Sequence, residues 1–377
     1  MRILIPTADY PPITGGISSV ALHVSRELAR LGHDVTVVAP RFPGVEASDQ
    51  AEPVKVIRFR GYHLGWLRLL PLFAAAWPHA GNTDLILGIN VSYGGIIGLW
   101  VRRRRGTPYV AFAYAYEFLK FRRHRVVRAL LRRVYNEACG VVAISRFTRD
   151  SLVSFGVPAD RIEVIHPGAP PARTISSEDV ADVKRRFAIE GSRVILGVGR
   201  FVPRKGHVTL VRAMRRIIER IPGAALVLVG EGPRPYDAVY EANNLGMRGN
   251  VFFPASVSDD DLAALYQACE VFALPTGDDG GAQVEGFGLV FAEAGAYGKP
   301  VVAGRSGGVV DAVLDGETGL IVEPDQPEAL ADAILSLMEN PARAQELGEN
   351  GRRRVETELN WTRFTERLLQ MVEARRS

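Results

Sequence analysis

Two glutamates, Glu285 and Glu293, stand eight residues apart around the run Gly286-Phe287-Gly288-Leu289-Val290. An ionised carboxylate accepts hydrogen bonds and donates none, so such a pair suits a ligand rich in hydroxyl donors, such as a sugar and a ribose. If all eight steps were helical they would span about 12 Å, roughly the reach of an extended nucleotide-sugar. The glycines place the first carboxylate in a loop and the second on a following helix. The start of that helix would offer the backbone N–H groups of Phe287, Gly288 and Leu289 to an anion. A second loop, Gly199-Arg200-Phe201-Val202-Pro203-Arg204-Lys205-Gly206, follows a β-rich run and precedes a helical one. Arg200, as a planar fork, and Lys205, as a point charge, can both neutralise a diphosphate. A departing nucleoside diphosphate needs that neutralisation, because no general acid protonates it well. The loop is not a P-loop, since no Gly precedes Lys205, and Gly197-Val198-Gly199 lacks the third Gly of a dinucleotide fingerprint. Third, Gly15-Gly16-Ile17 follows the first strand-like run, where glycine lets backbone approach a ligand closely. Read singly, each has a plainer account: solvent-facing glutamates, a solvated basic loop, an ordinary turn.

Ligands of open parallel sheets bind beyond the carboxyl ends of the strands, so the elements before these loops matter. Residues 2–6 read as a strand, Val20, Val24, Leu28 and Leu31 repeat at helical spacing up to Gly32, and residues 34–40 read as the next strand. That is one parallel βαβ unit. The second half repeats the plan, with strands at 193–198 and 224–229 flanking a helix that carries Leu210, Met214, Ile217 and Ile221 on one face. Further strands are expected at 251–253, 271–274 and 300–303, and two more helical patterns within 326–377, the last from about Trp361. Continuous apolar strands between amphipathic helices imply parallel sheets covered on both faces. The fold class is therefore α/β, two Rossmann-like domains with parallel sheets facing across a cleft. The expected boundaries are 1–171, 172–355 and a terminal helical segment, 356–377, crossing back to the first domain.

A chain of 377 residues, 47% apolar and 23% charged, suits two globular cores. Cys139 and Cys269 stand far apart with no partner motif, which argues against a disulfide framework or a zinc site. The opening residues form no leader-like apolar stretch, and the longest apolar run, 69–77, falls far short of the ~20 residues that span a bilayer. A soluble, cytoplasmic protein is expected. Net charge is +4 but divided: residues 1–171 carry 22 Lys+Arg against 12 Asp+Glu, the remainder 24 against 30. Much of the excess lies at 102–105 and 120–133, where Val126, Val127, Leu130 and Val134 keep helical spacing beside the arginines. A basic amphipathic helix predicts peripheral contact with anionic membrane through 102–133. Phe121 alone interleaves with the basic residues of 120–133, short of a row of stacking platforms, so nucleic acid is not the expected partner.

Taken together, these segments resemble family 4 of the retaining glycosyltransferases, which have the GT-B fold. Glu285-x7-Glu293 is similar to that family's signature, Tyr10-Pro11-Pro12 with Gly15-Gly16 to its N-terminal loop, and Arg200 with Lys205 to its diphosphate-binding pair. Also similar are Val142-Ala143-Ile144-Ser145, Ile165-His166-Pro167-Gly168, Gly230-Glu231-Gly232-Pro233, Ser306-Gly307-Gly308 and Asp315-Gly316-Glu317-Thr318-Gly319, in family order to about residue 325. The resemblance implies that Glu293 binds ribose hydroxyls. It places Glu285 on the transferred sugar with the amides of Phe287, Gly288 and Leu289 nearby, and Gly16, beside Gly15, against the diphosphate. Arg200, Lys205 and Glu285 form the implied catalytic set. Nucleotide falls mainly to the second domain and acceptor to the first, with no metal or other cofactor required.

The pattern departs at Tyr114, where relatives often carry His. Tyrosine, with a reference pKa of ~10, is a poor base at neutral pH. Tyr114 and Glu117 are accordingly assigned to the sugar or acceptor pocket. Ala255 and Asp311 stand where Gly and Glu are more usual. The expected function is transfer of a hexose, with retention, from GDP-mannose or a UDP-sugar to a glycan, lipid-linked or small-molecule acceptor. GDP-mannose comes first because Gly280-Gly281-Ala282-Gln283-Val284 resembles mannosyl-transferring members. The alternatives are a non-catalytic nucleotide-sugar binding module and an epimerase or phosphorylase on the same fold.

Overall fold

The computed structural model describes residues 1–233, 235–254, 257–278 and 283–375. Ala255 and the stretch Gly280-Gly281-Ala282 lie outside the described residues. The chain divides into two compact units, one of Met1–Pro167 with the terminal helix Trp361–Ala374, the other Gly168–Asn360. These limits differ by a few residues from the sequence-based ones for a local reason. Ala169 N–H donates to Leu359 O at 2.8 Å and Ala169 bridges Asn360, which ties 168–171 and 356–360 to the second unit.

The first unit holds a parallel sheet of seven strands: β1 (Arg2–Pro6), β2 (Asp34–Pro40), β3 (Lys55–Phe59), β4 (Leu85–Gly88), β5 (Tyr109–Ala113), β6 (Gly140–Ala143) and β7 (Ile162–Val164). Their order is β3-β2-β1-β4-β5-β6-β7, so the chain reverses direction along the sheet between β1 and β4. Right-handed crossovers then send the β1–β2 helix to one face and the helices joining β3 through β6 to the other. Packing agrees: helix Gly16–Arg30 pairs with Trp361–Ala374, while Leu69–Ala80, Ile96–Arg105 and Arg125–Glu137 pack side by side. The terminal helix is held by His23 stacked on Trp361 at 5.0 Å and Phe112 against Phe364 at 6.2 Å.

The second unit repeats the design with β8 (Arg193–Val198), β9 (Ala224–Val229), β10 (Val251–Phe252), β11 (Val271–Leu274), β12 (Val301–Gly304) and β13 (Gly319–Val322), ordered β10-β9-β8-β11-β12-β13. Every strand pairing is parallel. The strands are buried on both sides, and helix His207–Arg220 lays Leu210, Met214 and Ile217 against them. Among the described residues past 326 there are three helices rather than the two expected: Pro327–Met338, Pro341–Thr357 and Trp361–Ala374. Pro341 opens the middle one at its first turn, where a missing N–H costs nothing. Cys269 is buried and Cys139 half-buried, and neither forms a disulfide among the described residues.

Candidate active site

In the second unit the loops after β8, β11 and β12 meet at the carboxyl edge. After β8 the chain makes a short 3-10 turn, Pro203–Lys205, before helix His207–Arg220 begins. That turn drives Lys205 inward, where it is 8% exposed, and its Nζ lies 2.7 Å from Glu285 Oε2. Arg204 NH1 reaches the same oxygen at 2.7 Å. Arg204 was not singled out in the sequence; its only signal was adjacency to Lys205. Burial pushes the Glu285 carboxyl up, but Lys205 and Arg204, through charge and hydrogen bonds, outweigh it and hold the group below its ordinary value. Glu285 is therefore ionised at neutral pH.

The backbone of Glu285 is clamped by the loop after β12. Gly308 N–H donates to Glu285 O at 2.8 Å, and Ser306 Oγ, which donates to Gly277 O at 2.9 Å, lies beside Glu285 N. Gly307 has φ +46 and a Cβ there would fall 2.2 Å from Glu285 O, so only glycine fits. The chain then turns through Gly288, at φ +93, into helix Leu289–Ala296. Only the second half of the Glu285-to-Glu293 interval is helical, so the simple helical span fails. Phe287 and Gly288 are buried, Leu289 is half-buried, and among the described residues no side chain caps this helix. Its first N–H groups thus have no side-chain acceptor of their own.

Glu293 points from that helix to Tyr266, whose hydroxyl donates to Oε2 at 3.1 Å. Tyr266 is fixed by stacking on Tyr297 at 5.2 Å, a support that no local pattern announced. Burial raises the Glu293 pKa, partly offset by the Tyr266 bond and the Lys205 charge. Lys205 thus acts on both carboxylates. Arg200 is exposed, with no side-chain hydrogen bond or ion pair to any described residue. Beneath the loop His207 packs on Phe201 at 4.6 Å; burial and then the Lys205 charge lower its pKa to about 3, so it is neutral.

In the first unit Gly15 is the N-cap of helix Gly16–Arg30, with open space beside it. At the switch between β1 and β4, Asn90 Nδ2 donates to Asp9 Oδ2 at 2.8 Å. After β5 comes a tight turn through Ala115 at φ +79. Glu117 Oε1 accepts the Tyr114 N–H at 2.7 Å and the Tyr135 hydroxyl at 3.4 Å. Glu117 Oε2 and the Tyr114 hydroxyl are buried without a partner among the described residues. Burial lifts the Glu117 carboxyl from 4.5 to about 7, and burial with the nearby Glu117 charge drives Tyr114 well above its ordinary value.

Residues 14–173 match the family described as Glycosyltransferase Family 4, and residues 179–354 the one described as Glycosyl transferases group 1. A GDP-mannose-dependent alpha-(1-6)-phosphatidylinositol monomannoside mannosyltransferase of Mycolicibacterium smegmatis is 32% identical over 99% of both chains. The chain belongs to glycosyltransferase family 4. Family 4 members share the two-domain GT-B architecture, and this one is an enzyme that moves a sugar from a nucleoside-diphosphate sugar to an acceptor. A Mycobacterium tuberculosis mannosyltransferase of the same description is 31% identical over 97% of each chain. Anabaena Alr3699/HepE, solved with UDP and glucose, superposes with a TM-score of 0.83 over 99% of this chain and all of that one at 20% identity, a likeness of fold.

Proposed function

We propose that the protein is a retaining mannosyltransferase that uses GDP-mannose and a lipid-linked, inositol-type glycan acceptor. The observation that carries the donor half is the buried Lys205–Glu285 pair with Glu293 in reach of the same lysine charge. In this reading Arg200, left without a protein partner among the described residues, joins Lys205 on the diphosphate, while ionised Glu285 accepts a hydroxyl of the transferred sugar. Glu293 gives Oε2 to Tyr266 and keeps Oε1 for a ribose hydroxyl. The acceptor hydroxyl attacks the face from which the nucleotide leaves, and a diphosphate oxygen takes its proton. Catalysis then rests on positioning and on charge stabilisation of the leaving group, with no resident cofactor. The choice of mannose and of a phosphatidylinositol-linked acceptor is supported by the relatives, whose descriptions name both. Peripheral membrane contact by the first unit belongs to the same reading. Among the described residues no helix is long and apolar enough to cross a membrane.

A thermal-shift series with GDP, UDP and ADP and their sugars tests the donor. Ligand at ~100 times its Kd stabilises by about 2.7 kcal/mol, a shift easily read. GDP and GDP-mannose should raise the midpoint. A shift with UDP-sugars alone overturns the mannose assignment, and no shift with any nucleotide overturns the site.

A further inference from the structure

The loop between β1 and helix Gly16–Arg30, residues 7–15, is longer than the roughly 2–6 residues usual for such a connection. Its composition also leaves it loose. Pro11 and Pro12 have no N–H to donate, and Gly15 precedes Gly16 with open space beside it. Pro12, Thr14, Gly15 and Gly16 are exposed. Within the loop Ile13 N–H donates to Tyr10 O at 3.1 Å, and in the first helical turn Ser19 N–H donates to Gly15 O at 2.9 Å. A loop of this kind loses conformational freedom when a ligand orders it. That loss subtracts from affinity unless the protein has ordered the loop beforehand.

The ordering comes from the edge of the sheet. Arg58 lies on β3, beside β2, and its side chain is only 9% exposed. Its NH2 donates to Pro11 O at 2.9 Å, and its NH1 donates to Pro40 O, at the end of β2, at 2.8 Å. The same guanidinium forms a two-pronged pair with Asp49 of helix Glu46–Ala51, at 2.8 and 2.6 Å. It also lies over the ring of buried Tyr10, 5.5 Å from the centroid. The segment that supplies Asp49 is tied a second time, because Arg26 of helix Gly16–Arg30 donates to both oxygens of Glu52 at 2.8 and 2.7 Å. One short segment therefore braces the loop at Pro11 and also the helix that the loop enters. A buried ion pair adds little to stability compared with well-packed apolar side chains of similar volume. What this one supplies is geometry: a planar fork reaches two carbonyls and a carboxylate at once, which the point charge of a lysine does not.

We propose that Arg58, held by Asp49, is a positioning residue for the donor: through the Pro11 carbonyl it fixes the Tyr10–Gly16 loop in the conformation that admits the diphosphate. Its own charge is already met by Asp49, so it acts on the loop and not on the phosphates. The inference rests on the reading that Gly15 and Gly16 approach the diphosphate, and the experiment separates the two.

The experiment is calorimetric binding of GDP and of GMP to the full chain, with steady-state KM and kcat for GDP-mannose. GDP carries the diphosphate and GMP does not, so the wild type should bind GDP more tightly. Arg58→Lys keeps a charge beside Asp49 but cannot also hold the Pro11 carbonyl. It should weaken GDP and raise the donor KM by about tenfold, with GMP affinity within about twofold of wild type. Its kcat at saturating donor should change by less than about threefold, because the lost ordering is felt in binding. Asp49→Asn loosens the same guanidinium without removing it. It should shift GDP in the same direction by a smaller factor, and it carries the test by itself if Arg58→Lys does not fold. A merely structural role would lower the melting midpoint and leave the GDP-to-GMP ratio at its wild-type value; that result overturns the proposal. Equal weakening of GMP and GDP overturns it too, as does a wild type that prefers neither nucleotide. Gly16→Val probes the reading underneath. If that variant binds GDP as wild type does, the diphosphate reading falls and the proposal with it. If it weakens GDP while Arg58→Lys and Asp49→Asn do not, the proposal alone falls.

Discussion

Replacing Lys205 by alanine separates the two roles its position implies. Its Nζ lies 2.7 Å from Glu285 Oε2, and the two side chains are 10% and 13% exposed. At an effective dielectric of ~20 the gross attraction at that distance is about 6 kcal/mol. Desolvation of both groups consumes most of it, and Arg204 remains on the same carboxylate at 2.7 Å. The net folding loss is therefore about 1–3 kcal/mol. Removing a preorganised charge from the leaving group costs more, about 100- to 1,000-fold in turnover. Lys205→Ala should thus fold, melt somewhat lower and transfer sugar at least about a hundredfold more slowly. Steady-state transfer or donor hydrolysis, with urea denaturation alongside, reads both. The pH axis gives a check. The Glu285 pKa is depressed in the folded state, so its pairing stabilises above the unfolded carboxylate value and is lost as pH falls through the folded one. Acid-side loss of stability should be shallower in the variant than in the wild type. A folded variant with kcat/KM within about threefold of wild type would refute the assignment of Lys205 to the diphosphate.

Two further outcomes follow from the geometry. The Glu117 pKa is raised by burial to about 7, so its contribution to stability is present below about 4.5 and lost as pH rises through about 7. At ~1.4 kcal/mol per unit this amounts to about 3.5 kcal/mol. Glu117→Gln should flatten the urea stability profile between about pH 4.5 and about pH 7, and an unchanged slope would show that Glu117 does not titrate there. Gly307→Ala forces a Cβ to 2.2 Å from Glu285 O at φ +46. It should lower stability by about 1–3 kcal/mol and weaken nucleotide-sugar binding, measured by calorimetry, because the loop that fixes Glu285 must move; wild-type affinity would show that the clamp is dispensable.

The two α/β domains were readable because their strongest strands, β1, β2, β8 and β9, are continuous apolar runs next to amphipathic helices, and burial on both faces leaves that pattern. Strand β3, Lys-Val-Ile-Arg-Phe, pairs only with β2 at the sheet edge, and its mixed composition gave no signal. Glycine turns marked the loops that hold Glu285 and Lys205, since residues confined to unusual backbone angles show in the sequence itself.

Which charges those loops bring together was a different matter. Lys205 and Arg204 reach Glu285 across about eighty residues of chain, Tyr266 meets Glu293 from another helix, and Ser306-Gly307-Gly308 grips Glu285 from a third loop. No local period encodes such partners; only the stacking of parallel strands places their carboxyl ends side by side. The same holds for the first domain, where Arg58 reaches the Pro11 carbonyl from the sheet edge and Arg68 turns in while Trp66 turns out. Sequence settles which residues favour a helix or a strand, because propensity and periodicity act over a few positions. The direction a side chain faces, and the charge it finds there, are set by packing between segments distant in the chain.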